Sequence, residues 1–192
     1  MSLIRSILPA TLIAIGLGAG SLRAADSYEV EKNHAFANFR VKHLNTGFTY
    51  GRFKEISGAI TWDNAKPEAG SVEISIEAAS VDTGVEKRDQ HLRTADFFDA
   101  KQYPTLGFKS TAITKVDDEN YQVAGNLTMH GVTKAVTVKV VKTGEGKDPF
   151  GGYRIGFETV FTIKRSDYSI AGLPGAVGDD ITITIATEGL RK

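Results

Sequence analysis

From Ser71 to Ala78 the chain alternates strictly. Val72, Ile74, Ile76 and Ala78 fall between Ser71, Glu73, Ser75 and Glu77. A period of two sends the two sets to opposite faces of a strand, so one face meets an apolar interior and the other meets water. The same rhythm recurs along most of the chain. It predicts a short strand over 27–32, with Tyr28 and Val30 on one side, and another over 35–44, with Ala37, Phe39, Val41 and His43 set against Phe36, Asn38, Arg40 and Lys42. Residues 52–62 carry Ile56, Gly58, Ile60 and Trp62 on one face. Strands follow over 105–114 (Leu106, Phe108 inward), 121–129 (Tyr121, Val123, Gly125, Leu127, Met129), 135–142 (Val136, Val138, Val140), 153–164 (Ile155, Phe157, Phe161, Ile163) and 180–187 (Ile181, Ile183, Ile185). Gly47 to Gly51 reads as a turn with two aromatics at its rim. Residues 63–70, 117–120, 130–133, 143–152 and 166–178 read as connections on their glycine, proline, aspartate and asparagine content.

One stretch breaks the rhythm. Between Ser80 and Ser110 the alternation stops, and Val85, Arg88/Asp89 and Leu92 recur at helical spacing. This predicts a short, partly 3₁₀ helix capped by Asp82 or Thr83, within a helical insert around residues 84–99. A second turn at Asp96-Phe97-Phe98-Asp99 precedes Tyr103-Pro104, where the next strand begins. A polar helix followed by paired phenylalanines has the character of a lid between two long strands.

About eight or nine strands, mostly joined by hairpins and each with one apolar face, have two ways to bury that face. They can pack as two sheets, or one sheet can close on itself. Long sequential strands favour the closed, up-and-down antiparallel barrel, with a β-sandwich as the other solution. No linker rich in proline or serine divides the chain, so one domain over 25–192 is expected.

Composition narrows the setting. The chain has 192 residues, enough for one substantial core. The first residues read as a signal peptide over 1–24: Arg5 supplies the positive start, an apolar run from Ile7 to Gly20 follows, and cleavage is expected after Ala24. Removing Arg5 and Arg23 changes 23 basic and 23 acidic residues into 21 and 23, a net charge of −2. A chain near neutrality with no basic run is not suited to nucleic acid. There is no cysteine, so disulfides and thiol chemistry are excluded. No later apolar run is long enough for a transmembrane helix.

The insert and two further stretches carry a resemblance. Asp89-Gln90-His91-Leu92-Arg93-Thr94-Ala95-Asp96-Phe97-Phe98, with Ser80-Val81-Asp82-Thr83 before it and Tyr103-Pro104 after it, is similar to the YceI-like family of periplasmic lipid-binding proteins. The likeness continues in Thr128-Met129-His130-Gly131-Val132-Thr133-Lys134 and in His34 to His43, and covers essentially the whole mature chain. The resemblance implies an all-β, lipocalin-like barrel in the periplasm, holding a polyisoprenoid or similar long apolar chain as cargo. It implies no catalytic set, cofactor or metal.

The residues themselves leave two readings of the interior. An eight-stranded barrel is just wide enough for its own side chains or for one small ligand. Inward glycine and alanine at Ala37, Gly58, Ala78 and Gly125 favour unfilled space. The apolar lining expected for a ligand is Phe39, Ile60, Trp62, Ile74, Phe108, Leu127, Phe157 and Phe161. Candidates for a head group at the mouth are His43, Arg88, Asp89, His91 and Arg93, with Tyr50 and Phe98 as an apolar rim. Salt bridges fastening the helix to the barrel are the competing role for Arg88, Asp89 and Arg93.

Enzymatic chemistry finds little footing. His34, His43, His91 and His130 have no paired metal-ligand spacing, and no Gly-x-Ser-x-Gly elbow occurs. Asp89 and His91 are two apart, which diverges on a helix. A carrier or storage protein for an isoprenoid or lipid is therefore expected. A stress-response partner with a filled barrel, or a hydrolase of lipid-like substrates, are the alternatives. A homodimer is the assembly that an exposed sheet edge would favour.

Overall fold

The structure is a computed structural model, and it describes residues 25–192. The expected signal peptide lies outside the described residues. Ten strands form one antiparallel sheet: β1 (Asp26–His43), β2 (Gly47–Phe53), β3 (Ile56–Trp62), β4 (Ser71–Glu77), β5 (Val81–Asp82), β6 (Thr105–Lys115), β7 (Asn120–Met129), β8 (Val132–Lys147), β9 (Tyr153–Lys164) and β10 (Val177–Arg191). One α-helix, α1 (Glu86–Leu92), lies between β5 and β6. No helix among the described residues is long and apolar enough to cross a membrane.

β2 and β3 pair with opposite halves of β1, Phe53 opposite Ala37 and Trp62 opposite Asp26. They are one long strand bent at Lys54-Glu55. β4 and β5 repeat this on the next position, against β3 and β2 respectively. The buried Ser80 hydroxyl holds both bends: it accepts the Lys54 and Glu55 N–H groups at 3.1 Å each and donates to Glu77 O at 2.7 Å. The sheet thus closes as eight long staves, β10 returning to β1 with Ile183 opposite Phe39. Closure removes the edges that an open sheet would expose. The expectation of a dimer from a free edge loses that footing.

The buried residues follow the predicted alternation. In β7 Tyr121, Val123, Gly125, Leu127 and Met129 are buried, with exposed or half-buried residues between them. Several boundaries differ from the sequence reading. β1 is one strand of 18 residues, with a register shift between Val30 and Ala35 absorbing Lys32-Asn33-His34. Gly47 to Gly51 is strand, and the turn is Leu44-Asn45-Thr46. β8 extends to Lys147 across a bulge at Gly144, whose φ of 156° is left-handed territory. α1 has Val85 as its N-cap with no side-chain cap, so neither Asp82 nor Thr83 caps it.

The barrel has two ends. The β1–β2 turn, the insert between β5 and β6, the β7–β8 turn and the β9–β10 loop gather at one, here called the mouth. The start of β1, the end of β10 and the β3–β4, β6–β7 and β8–β9 connections gather at the other, the base.

Candidate functional site

The interior encloses a cavity of about 210 Å³, and its lining is almost wholly apolar. Along β10 the lining runs from Val177 to Thr187. At about 3.3 Å per residue and a strand tilt of about 40°, that is roughly 25 Å along the axis. The space is therefore elongated.

Aromatic rings floor it at the base. Trp62 packs edge-to-face on Tyr121 (4.8 Å between centroids) and on Phe157 (4.9 Å). The indole N–H points away, donating to Asn64 Oδ1 at 2.8 Å. Asn64 in turn donates to Glu145 and accepts from Lys142. The polar edge of the floor is thus satisfied outside the cavity, and the hydrocarbon faces in. Tyr121 donates to Asp118 O, and burial pushes its phenol up from the ordinary value.

At the mouth a second aromatic group covers the space. Phe53 packs between Phe39 (5.7 Å) and Phe98 (5.3 Å), and Leu92 and Phe97 also line it. Between floor and lid the walls are mainly aliphatic, from Val72, Ile74, Ile76, Leu127, Val138, Ile163, Ile181, Ile183 and Ile185.

All eight expected lining residues, Phe39, Ile60, Trp62, Ile74, Phe108, Leu127, Phe157 and Phe161, face this cavity. The reason given for empty space needs correction. Of the four small inward residues, only Ala37 lines the cavity. A Cβ on Gly125 would fall 2.4 Å from the Phe108 ring, and one on Gly58 would fall 2.3 Å from Glu73 O and 2.9 Å from Ile74 Cδ1. Those glycines admit a neighbour's atoms and leave no room over. Ala78 is packed in the bend before β5.

The mouth candidates separate. Phe98 lines the cavity. Tyr50 pairs with Arg40 on the outer face of the barrel and is 63% exposed. His43 shares the inward parity of Val41 but lies beyond the rim, exposed. Asp89, Arg88 and Arg93 bind the lid to itself and to the barrel. Asp89, 4% exposed, accepts the Thr83 N–H and hydroxyl. Arg88 donates to Thr83 Oγ1 and Thr83 O. Arg93 donates to Ala79 O and Val81 O, and meets Glu86 at 3.5 Å. These are hydrogen bonds to backbone and hydroxyl more than the salt bridges expected. His91 pairs with Asp96 at 2.8 Å and packs edge-on to Phe97. None of these five polar residues is among those lining the cavity.

Two charged residues are among those lining it, Glu158 and Arg165, and neither was singled out in the sequence. Arg165, in a 3₁₀ turn (Arg165–Tyr168) after β9, is 7% exposed. Its guanidinium donates to Gly178 O, Ile170 O, Gly172 O and Val177 O at 2.7–3.0 Å. Burial pulls its pKa down from the ordinary arginine value, and Asp179 nearby acts the other way. Arg165 thus draws the β9–β10 loop around itself at the mouth. Gly172 N–H donates to Asp96 O at 3.0 Å and ties that loop to the lid. The signal available in the sequence was only a basic residue at the end of an alternating strand. Among the described residues there is no group of three or more His, Cys, Asp or Glu positioned to hold a metal ion.

Comparison with known proteins places this architecture. The model of the YceI-like domain matches residues 28–189. A UPF0312 protein of Pseudomonas putida strain GB-1 is 41% identical over 97% of this chain and the whole of its own length. The crystal structure of BcnA from Burkholderia cenocepacia is 30% identical, with a TM-score of 0.76 over 83% of this chain and 98% of that one. A polyisoprenoid binding domain from Saccharophagus degradans, implicated in plant cell wall breakdown, shares the fold at a TM-score of 0.66 and 18% identity, covering 88% of this chain and all of that one. A barrel with this stave order, matched from β1 to β10, belongs to the YceI-like family.

Proposed function

We propose that the protein binds one long apolar molecule, a polyisoprenoid or similar lipid chain, lengthwise inside the barrel, and serves as a periplasmic carrier or store without catalysing a reaction. The observation that carries this reading is the elongated apolar cavity between the Trp62 floor and the Phe98 lid. Each buried methylene contributes about 0.8 kcal/mol, so ten correspond to about 8 kcal/mol before the cost of association. A hydrocarbon tail needs no polar anchor along such a bore. The polyisoprenoid binding named for the Saccharophagus degradans domain supports the same ligand class. The signal-peptide pattern of residues 1–24 supports the periplasmic setting.

Native mass spectrometry of protein purified from the periplasm tests this, followed by organic extraction. A one-to-one adduct that yields a long-chain isoprenoid or lipid is expected. A clean apo mass, together with failure of the purified protein to take up prenyl alcohols, would overturn the proposal.

A further inference from the structure

We propose that the β1–β2 hairpin is a docking surface for an anionic lipid bilayer. From Lys32 to Lys54 the chain contains no aspartate or glutamate, while Arg40, Lys42, Arg52 and Lys54 are all basic. Arg40 and Lys42 have no ion-pair partner among the described residues. Both lie against the exposed Phe48 ring, at 4.7 and 5.0 Å from its centroid. The acidic side chains nearest the hairpin are already engaged: Asp82 with Arg52, Asp167 with Lys134, Asp180 with Lys164, and Asp179 with Ser166 and Lys164. On the hairpin itself the unpaired charge is positive.

The hairpin tip is apolar and held in an unfavourable conformation. Leu44 adopts φ 50° and is 56% exposed; Leu173, in the facing loop, also adopts φ 50° and is 49% exposed. Leucine rarely enters the left-handed region, where glycine or asparagine is at home. The Leu44 N–H donates to Ala176 O at 2.8 Å, which fixes the tip against that loop. Strain that the surroundings enforce, and that presents leucine to solvent, points to a use for the exposed side chain.

The order along the hairpin suits a membrane interface. A leucine tip can enter the acyl boundary, Phe48 and Tyr50 can lie at head-group level, and Arg40 and Lys42 can reach the phosphates. A combination of modest apolar insertion with basic charge is what reversible docking requires. The site is also at the mouth, since Val41 of the same strand lines the cavity. Docking stands on the hairpin alone; its purpose, exchange of an apolar cargo with the bilayer, rests on the function proposed above.

Flotation with vesicles of phosphatidylglycerol and phosphatidylcholine, against vesicles of phosphatidylcholine alone, tests the proposal. The full mature chain should float with the anionic vesicles, and less so as salt is raised. The R40Q/K42Q double variant should bind about thirtyfold more weakly, from about fivefold per cation. L44N and F48S should also weaken binding at unchanged charge, and asparagine tolerates the φ at Leu44. F150S removes a phenylalanine 91% exposed at the base and should bind as the parent does. Absence of flotation, or equal flotation of R40Q/K42Q, overturns the proposal, as does its loss in F150S alone. Uptake of a fluorescent fatty acid by the parent chain in vesicle-free solution separates the two readings: a parent that takes up the fatty acid but does not float rejects the hairpin role only, and one that floats but takes up none rejects the cavity reading only.

Discussion

Thr83 gives both its backbone N–H and its hydroxyl to one carboxylate oxygen of Asp89, at 2.9 and 2.5 Å. The same hydroxyl accepts from Arg88 Nε at 2.7 Å, so a helix residue, the strand exit and the carboxylate form one chain of bonds. Replacing Asp89 by alanine leaves the half-buried Thr83 donors without this acceptor, at about 1 kcal/mol or more. D89A should lower the free energy of unfolding by that amount in urea denaturation. It should also speed amide exchange across residues 83–93 before the barrel strands are affected, while D89N, which keeps an acceptor, should lose less.

Arg165 holds four carbonyl groups, Ile170 and Gly172 in the β9–β10 loop and Val177 and Gly178 at the start of β10. Lysine has no planar fork and cannot reproduce that geometry. R165M should destabilise by about 3 kcal/mol, since the carbonyls lose their donors in a dry setting. R165K should recover part of this. Denaturation midpoints of the two variants check the order, and a loss confined to exchange in residues 169–178 would identify the loop as the part released.

Ala37 lines the cavity with a small side chain, opposite Ile185 and Phe53. A37F should place a ring in the bore and reduce uptake of a long-chain fatty acid at least tenfold. Overpacking of this kind costs about 1–3 kcal/mol, so the strand signal in circular dichroism should persist. Binding unchanged by A37F would move the ligand off this cavity.

Acid should destabilise the protein in a defined window. The Arg154 guanidinium, with the Gly152 and Phe150 N–H groups, holds the Asp148 carboxyl below the usual aspartate range. Hydrogen bonds from Asn120 and Glu119 do so for Asp117, and from the backbone and hydroxyl of Ser166 for Asp179. Folded values below unfolded ones mean that the unfolded chain takes up protons first. The stabilisation is therefore complete above about pH 4 and is lost as pH falls through the lower, folded values. Melting temperature should be flat from pH 7 to about 5 and fall below about 4, with a shallower fall in D148N.

The strand faces were legible because a half-buried strand leaves its period in the residue types, as β4 and β7 show. Strand ends were less so. Gly47 to Gly51 looked like a turn on composition, yet it is strand, and Gly51 serves close packing: a Cβ there would fall 2.3 Å from the Phe39 ring. The lining residues followed from alternation alone. Arg165 and Ser80 did not, because each acts through backbone groups distant in sequence, and no local pattern marks a residue that satisfies carbonyls or amides across a fold. The polar residues of the insert were visible as a cluster, but residue type could not tell a lid fastening from a ligand contact.

The stave that completes the ring is the last of the ten strands along the chain. β10 pairs with β9 on one side and with β1 on the other, and Lys192 N–H reaches Ser27 O at 2.9 Å. The other long pairings join staves that follow one another along the chain, the widest being β4 with β6 across the helical insert, whereas this seam joins the first strand to the tenth. A nascent chain can assemble a curved sheet early but stays open along one side until β10 arrives. Removing β10 should thus leave an unsealed sheet prone to pair with another molecule, so that stave is the guard against aggregation.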